Sequence, residues 1–353
     1  MIPRLAILGT GPSALYLGLL LSQKGWDVRA FDPKMPWETP RGCGISLEAL
    51  REFPHFEHFS QAMGLSTLKV LSPHGREGRI DWPEDLLVAP RGEVSGFLET
   101  ASLNAGVEII STKIEGVERT ENTWRIRSKE EEWEADFLVG ADGAVSLARK
   151  VLGAFPPSEG MTIEVGYDIP MVIDGGKTAV IKFLREMPGC FWALPLHSSA
   201  TSVRLWATSR LLHARNLFEK IDLMVQDVLD IPAPGNSART VAHIPLFQAP
   251  PPAAIQGDGW ALIAEAAGLV HPLSQDGLYF GLQSAALLAL SFHGGKLDEA
   301  TYRDRMKENV LQPLKRRMKS RRWWSRNFIL DWMIGRLPRS EKTRNAIVEL
   351  LDP

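Results

Sequence analysis

Cysteine is scarce: Cys43 and Cys190 are the only two in 353 residues. Two thiols cannot build a disulfide framework, and such a chain suits a reducing compartment. An excess of charge of one sign is missing as well, since 40 Lys and Arg face 42 Asp and Glu for a net charge of -2. A dedicated nucleic-acid binder would carry a clear basic excess, so no nucleic-acid partner is expected. No apolar run reaches the roughly 18 residues of a membrane span. The start, Met1-Ile2-Pro3-Arg4 before Leu5-Ala6-Ile7-Leu8, imitates a short secretory leader. Cleavage there would destroy the glycine pattern that follows, and the chain reads as cytoplasmic. Repeats, low-complexity segments, a Gly-x-Ser-x-Gly elbow and Cys-x-x-Cys are all lacking. Tyrosine is rare, 4 against 11 tryptophans, which points to apolar pockets or interfaces. What is present, 44% hydrophobic residues with 30 Gly and 24 Pro, is the composition of a folded protein with an ample core, in two domains or in one with a large insertion.

Along the chain, residues 5–8 read as a buried strand, 9–14 as a glycine turn, 15–24 as an apolar helix and 28–32 as the next strand. Short β runs at 107–110, 113–119 and 124–127, separated by polar turns, predict an antiparallel meander. It ends in Phe137-Leu138-Val139-Gly140, an all-apolar run suited to the middle of a parallel sheet. Strands of a second sheet are expected at 161–172, 178–183, 190–196 and 202–207, with a helix at 214–229. Ala249-Pro250-Pro251-Pro252 closes this region, because it can continue neither a helix nor an inner strand. Residues 259–294 return to strand, loop and apolar helix, and 298–353 are helical and basic.

Gly9-x-Gly11-Pro12-Ser13-Ala14 between a strand and a helix, with Asp32 closing the following strand, is a dinucleotide-binding fingerprint in its required context. The glycines allow a tight turn and a close approach to a pyrophosphate, whose charge sits at the helix N-terminus. Asp32 is placed to accept a ribose hydroxyl. This pattern alone does not distinguish FAD from NAD.

Two later segments make that distinction. Phe137-Leu138-Val139-Gly140-Ala141-Asp142-Gly143-Ala144-x-Ser146-x-x-Arg149 strongly resembles the Asp-Gly motif of the aromatic-hydroxylase-like (group A) flavoproteins. Gly259 to Pro272, followed by Ser274-Gln275-Asp276-Gly277-Leu278, looks like that family's Gly-Asp segment, with Ala264-Glu265 standing where the family has Gly-Asp. The resemblance implies that Glu265 holds the ribityl chain of FAD and that Pro272, Gly277 and Leu278 approach the flavin ring. The helix N-terminus opening near Gly277 would stabilise negative charge on the reduced ring. Within the superfamily the chain is most similar to the geranylgeranyl-reductase-like branch. Arg41-Gly42-Cys43-Gly44 resembles its Cys-Gly segment, Arg91 stands where an arginine precedes the helix beside the FAD, and Trp192-x-x-Pro195 matches its pocket signature, with Cys190 in place of the leading aromatic. The implied fold is α/β: a Rossmann-like FAD-binding domain of the hydroxylase type over 1–155 and 250–300, an inserted β-rich substrate domain over 156–249, and a helical C-terminal cap over 301–353.

The resemblance implies FAD-dependent redox chemistry on an apolar small molecule, foremost reduction of a carbon-carbon double bond. Hydroxylation of an aromatic or polyketide-like substrate is the alternative, and a flavin-binding protein without turnover is a third. With one dinucleotide fingerprint, NAD(P)H would dock transiently or be replaced by another electron donor. Cys43, between two glycines, is either a small buried residue or a proton donor beside the flavin. His271 either touches the ring or substrate or serves its loop. A halogenase reading finds only one of that group's two signature tryptophans, at Trp192. His55-x-x-His58 lacks a third ligand, and no metal site is expected. Finally, 315–326 holds seven basic residues and no acid, with Trp323 and Trp324, before Phe328-Ile329-Leu330 and Trp332-Met333-Ile334. Such a tail either makes peripheral membrane contact or covers the substrate domain with its tryptophans.

Overall fold

The computed structural model describes residues 2–33, 42–46, 52–60, 62–154, 161–197, 199–208, 214–233, 239–324 and 326–351. In chain order the strands used below are β1 (Arg4–Leu8), β2 (Asp27–Phe31), β3 (Gly42–Ser46), β4 (Met63–Leu71), β5 (Glu77–Pro90), β6 (Glu108–Ile110), β7 (Gly116–Arg119), β8 (Trp124–Arg127), β9 (Glu132–Ala135), β10 (Phe137–Gly140), β11 (Met161–Ile169), β12 (Thr178–Phe183), β13 (Gly189–His197), β14 (Ala200–Ala207), β15 (Thr240–Pro245), β16 (Gln256–Gly257) and β17 (Trp260–Leu262). The helices are α1 (Pro12–Ser22), α2 (Arg91–Asn104), α3 (Leu147–Val151), α4 (Ala214–Leu229), α5 (Leu278–Leu290), α6 (Glu299–Met306), α7 (Gln312–Trp324), α8 (Asn327–Arg336) and α9 (Glu341–Leu351).

The chain divides into two compact units: Met1–Glu38, Val94–Glu159 and Pro245–Arg316 form the first, and Thr39–Glu93, Gly160–Ile244 and Arg317–Pro353 the second. In the first, a sheet runs in the order β16-β17-β10-β1-β2-β6, parallel from β17 to β6. Its central strands are buried on both faces, which is why they read as unbroken apolar runs. Pro12, with φ preset for a first helical turn, starts α1 three residues earlier than the apolar run suggests. Successive strands leave β1 on opposite sides, β2 on one and β10 on the other, so the C-terminal end of β1 is a topological switch point. The segment at 107–110 is not part of the meander. It reaches β2 after α2, and a strand returning through a crossover helix pairs in parallel. The meander consists of β7, β8 and β9.

The second unit is built on a sheet ordered β15-β11-β14-β13-β12-β4-β5-β3. Leu217, Ile221 and Val225 of α4 recur at four-residue intervals and cover one face, against Val165, Tyr167, Phe191 and Leu205. Leu330 and Ile334 of α8, then Leu337 and Ile347, pack with Leu65, Leu68, Val70, Ile80 and Ile181 on the other. This division corrects the expected domain limits. Residues 39–93 belong with the second sheet, because β4 pairs with β12 and β5 joins β4 to β3. The tail from 317 onward adds to that unit's core and does not form a separate cap. No helix among the described residues is long and apolar enough to cross a membrane.

Candidate functional site

The glycine turn lies at the switch point. Gly9 has φ +103 and donates its N–H to Phe31 O at 2.8 Å; a Cβ there would sit 2.4 Å from the Ala141 carbonyl oxygen. Only glycine lets this turn press against the Asp142 segment. Gly11 differs: it caps α1 with φ -63, and a Cβ on it would meet nothing within 4 Å. It faces open space before the first N–H groups of α1, whose opening turn, Pro12, Ser13 and Ala14, is buried and carries no acid. Asp32, 8% exposed, accepts the Thr10 N–H at 3.2 Å and so stands beside the turn.

Asp142 accepts Ser146 Oγ–H at 2.5 Å and the Ala148 N–H at 3.0 Å. Burial pushes its pKa above the ordinary carboxylate value, more than these bonds pull it down. Gly143 follows with φ +77 and open space at its Cβ position. Arg149, quoted in the sequence motif without a role, turns out to be the link between segments. Buried at 3% exposure, it donates to the carbonyl oxygens of Ala144 and, at 3.1 Å, Ala266. The Asp-Gly turn is thereby tied to the Glu265 segment.

Ala264 adopts φ +52, left-handed backbone that favours glycine, and Ser284 Oγ accepts its N–H at 3.2 Å. A Cβ on Gly281 of α5 would lie 2.3 Å from Ser13 Oγ and 3.2 Å from Ala264 Cβ. The starts of α1 and α5 and the Ala264 turn therefore converge only because Gly281 lacks a side chain. Glu265 Oε1 lies 3.6 Å from the Cβ position of Gly277, the residue that caps α5 ahead of Leu278. The loop between them is closed by His271. Its Nδ1 accepts the N–H groups of Leu273 at 3.3 Å and Ser274 at 3.0 Å. Its own N–H donates to Asp276 O at 2.8 Å, while the Gln275 side chain donates to Pro272 O at 3.2 Å. With Nδ1 accepting, the buried imidazole carries its proton on Nε2, and the geometry gives His271 a loop-shaping role.

The remaining sequence candidates lie in the second unit or at its edge. Arg41 lies outside the described residues. Cys43 sits on β3, paired with Ala89 of β5, where the structure describes the backbone only. Arg91 opens α2 and is half-buried. Trp192 and Pro195 stand on opposite faces of β13: Trp192 packs with Cys190 and Leu194 on one, whereas Pro195 shares the other with Phe191 and Ala193, which face α4. They do not form one wall. Cys190 is opposite Trp206 on β14 in one buried cluster, and burial pushes its thiol pKa far up.

The first unit suits FAD. The open space over Gly11 and the start of α1 fits a pyrophosphate, Asp32 a ribose, and Glu265 a ribityl chain leading to the N-terminus of α5. Residues 4–217 match the family model described as FAD binding domain. An FAD-dependent monooxygenase of Aspergillus terreus, pytG, is 30% identical over 164 residues, 42% of this chain and 49% of that protein, so the chain spans about half the length of the curated relative it matches. In fold the chain is similar to a geranylgeranyl bacteriochlorophyll reductase-like protein from Thermoplasma acidophilum, with TM-score 0.81 and 15% identity over 99% of this chain and 96% of that one. It is similar also to HpxO of Klebsiella pneumoniae complexed with FAD, with TM-score 0.74 and 13% identity over 99% and 98% of the two chains. The glycine fingerprint, the Asp142-Gly143 turn and the residues matched agree on one conclusion: the chain belongs to the FAD binding domain family.

Proposed function

We propose that this flavoenzyme reduces a carbon-carbon double bond in a largely apolar substrate. When bound, FAD supplies the hydride; the protein positions, shields and protonates. In this reading Gly11 and the first turn of α1 hold the pyrophosphate, Asp32 the adenosine ribose and Glu265 the ribityl chain. The N-terminus of α5, shaped by the His271 loop, contributes a positive field. Arg91 and Asp142 support the cofactor, and Cys43 or a water delivers the proton. NAD(P)H, or another donor, reaches the FAD domain transiently. The observation that carries the substrate class is the partly exposed, largely apolar pair Trp192 and Leu194 on one face of β13. Similarity to pytG, an FAD-dependent monooxygenase, favours a second reading, oxygen insertion into an aromatic or polyketide-like substrate.

A single-turnover experiment separates the two. Holoprotein is reduced without oxygen and mixed anaerobically with a polyprenyl alkene and, in a parallel run, with an aromatic substrate and isotopically labelled dioxygen. The yellow colour should return without oxygen while the alkene gains two hydrogens. Return only with oxygen, with label in the product of an aromatic substrate, would overturn the reductase reading in favour of the monooxygenase. A flavin that turns over with neither would favour a binding protein.

A further inference from the structure

α8 docks by one stripe and leaves another in water. Leu330 and Ile334 enter the core of the second unit. On the outward side Phe328 is 66% and Trp332 53% exposed, four residues apart and therefore one above the other. Exposed Arg336 extends the stripe by a further turn, its guanidinium 4.4 Å from the centre of the Trp332 ring. Exposed Arg326 caps the helix at its start. The helix has one acid, Asp331, and it is withdrawn from this surface: 13% exposed, it lies 2.5 Å from His74 Nδ1. In sequence the stripe follows the seven cations and no acid of 315–326.

We propose that the outward stripe of α8 is a docking surface for an anionic lipid membrane. Phe328 and Trp332 would enter the boundary between headgroups and acyl chains, where an amphipathic indole is best accommodated, while the flanking arginines and the basic run meet acidic headgroups. Charge selects this occupant. A second copy of the chain would bring the same basic run against itself, and like charges in juxtaposition repel. An anionic surface is complementary at every exposed charge on the stripe. This inference is independent of which reaction the flavin performs.

The test uses full-length, flavin-loaded protein and sedimentation with phosphatidylcholine vesicles, with and without phosphatidylglycerol. Binding should require the anionic lipid and fall as salt rises. The double variant Phe328→Ser with Trp332→Ser should bind at least about tenfold more weakly, with unchanged flavin content and thermal midpoint, since neither ring is in the core. Leu223→Ser, at a residue 56% exposed on α4, should bind as the wild type does. Failure of the wild type to sediment at low salt, or an unweakened double variant, would overturn the proposal. So would a lipid-free dimer, seen by light scattering, that the double variant disperses, because the surface would then belong to a second copy.

Discussion

Ala264 and Glu265 stand where the flavoproteins that the sequence resembles carry Gly-Asp, and the structure attaches a separate consequence to each. At Ala264 the backbone is left-handed, φ +52, a conformation that costs an L residue about 1–2 kcal/mol. Ala264→Gly should relieve this strain and, after the entropy a glycine loses on folding, raise stability by about 1 kcal/mol. Thermal unfolding of the apoprotein checks it, and an unchanged or lower midpoint would contradict the strain. Glu265 keeps the acid one methylene longer, beside Gly277 at the start of α5. Glu265→Ala should weaken FAD binding by roughly 1.5–3 kcal/mol, the scale of a hydrogen bond to a charged group. An unchanged dissociation constant by fluorescence titration would show that the ribityl contact is not made. Both residues were legible because the motif fixes their positions. Arg149 was not: its role depends on the Ala266 carbonyl, 117 residues away in sequence, and nothing local encodes that meeting. His271 was legible only as an alternative, since the N–H groups it accepts belong to backbone that any residue carries.

Local patterns identified most elements but not their partners. The strands β1 and β10 and the buried helix α1 follow from unbroken apolar runs, and the whole of α4 from its helical pattern. β6 was assigned to the wrong sheet and β9 was missed, because three- and four-residue strands carry almost no periodic signal. The parallel pairing of β4 with β12, which draws 63–71 to the second unit, spans more than a hundred residues and has no turn chemistry to announce it. In the tail, the apolar stripe was visible in sequence, yet its inward members Leu330 and Ile334 and its outward members Phe328 and Trp332 could be told apart only in the folded chain. α8 is further held by Asp331, whose carboxylate accepts the His74 backbone N–H at 3.2 Å and lies 2.5 Å from His74 Nδ1, which donates to it. Burial alone would raise the Asp331 pKa, but the bonds from Ser72 and His74 outweigh it and hold the carboxyl below its ordinary value. A depressed carboxylate stabilises the fold above its unfolded pKa of about 3.9, and the contribution fades as pH falls through the lower folded value. Urea midpoints of the wild type and Asp331→Asn should therefore differ most near neutral pH, and the difference should shrink as pH falls below the unfolded value of about 3.9. A difference that does not shrink with acid would show that the carboxylate's charge is not what holds the helix.

At the scale of the molecule, two units each carry their own sheet and core, and the first is assembled from three stretches of chain. Its discontinuity was readable because the fingerprint and the Glu265 segment, far apart in sequence, both resemble parts of one cofactor site. The account's central claim is that this unit binds FAD through the start of α1. Gly11 allows a direct test, because a Cβ there meets nothing within 4 Å and its φ of -63 suits any residue, whereas a Cβ at Gly9 would collide with Ala141. Gly11→Val should fold normally and lose only the cofactor. The measurement is the flavin content of wild-type and Gly11→Val protein, reconstituted side by side, with circular dichroism to confirm folding and chromatography of the released flavin. The wild type should be yellow and release FAD, not FMN, and the variant should be folded and colourless. A wild-type protein that cannot be loaded with FAD, or a folded Gly11→Val variant that holds FAD as tightly as the wild type, would contradict the account.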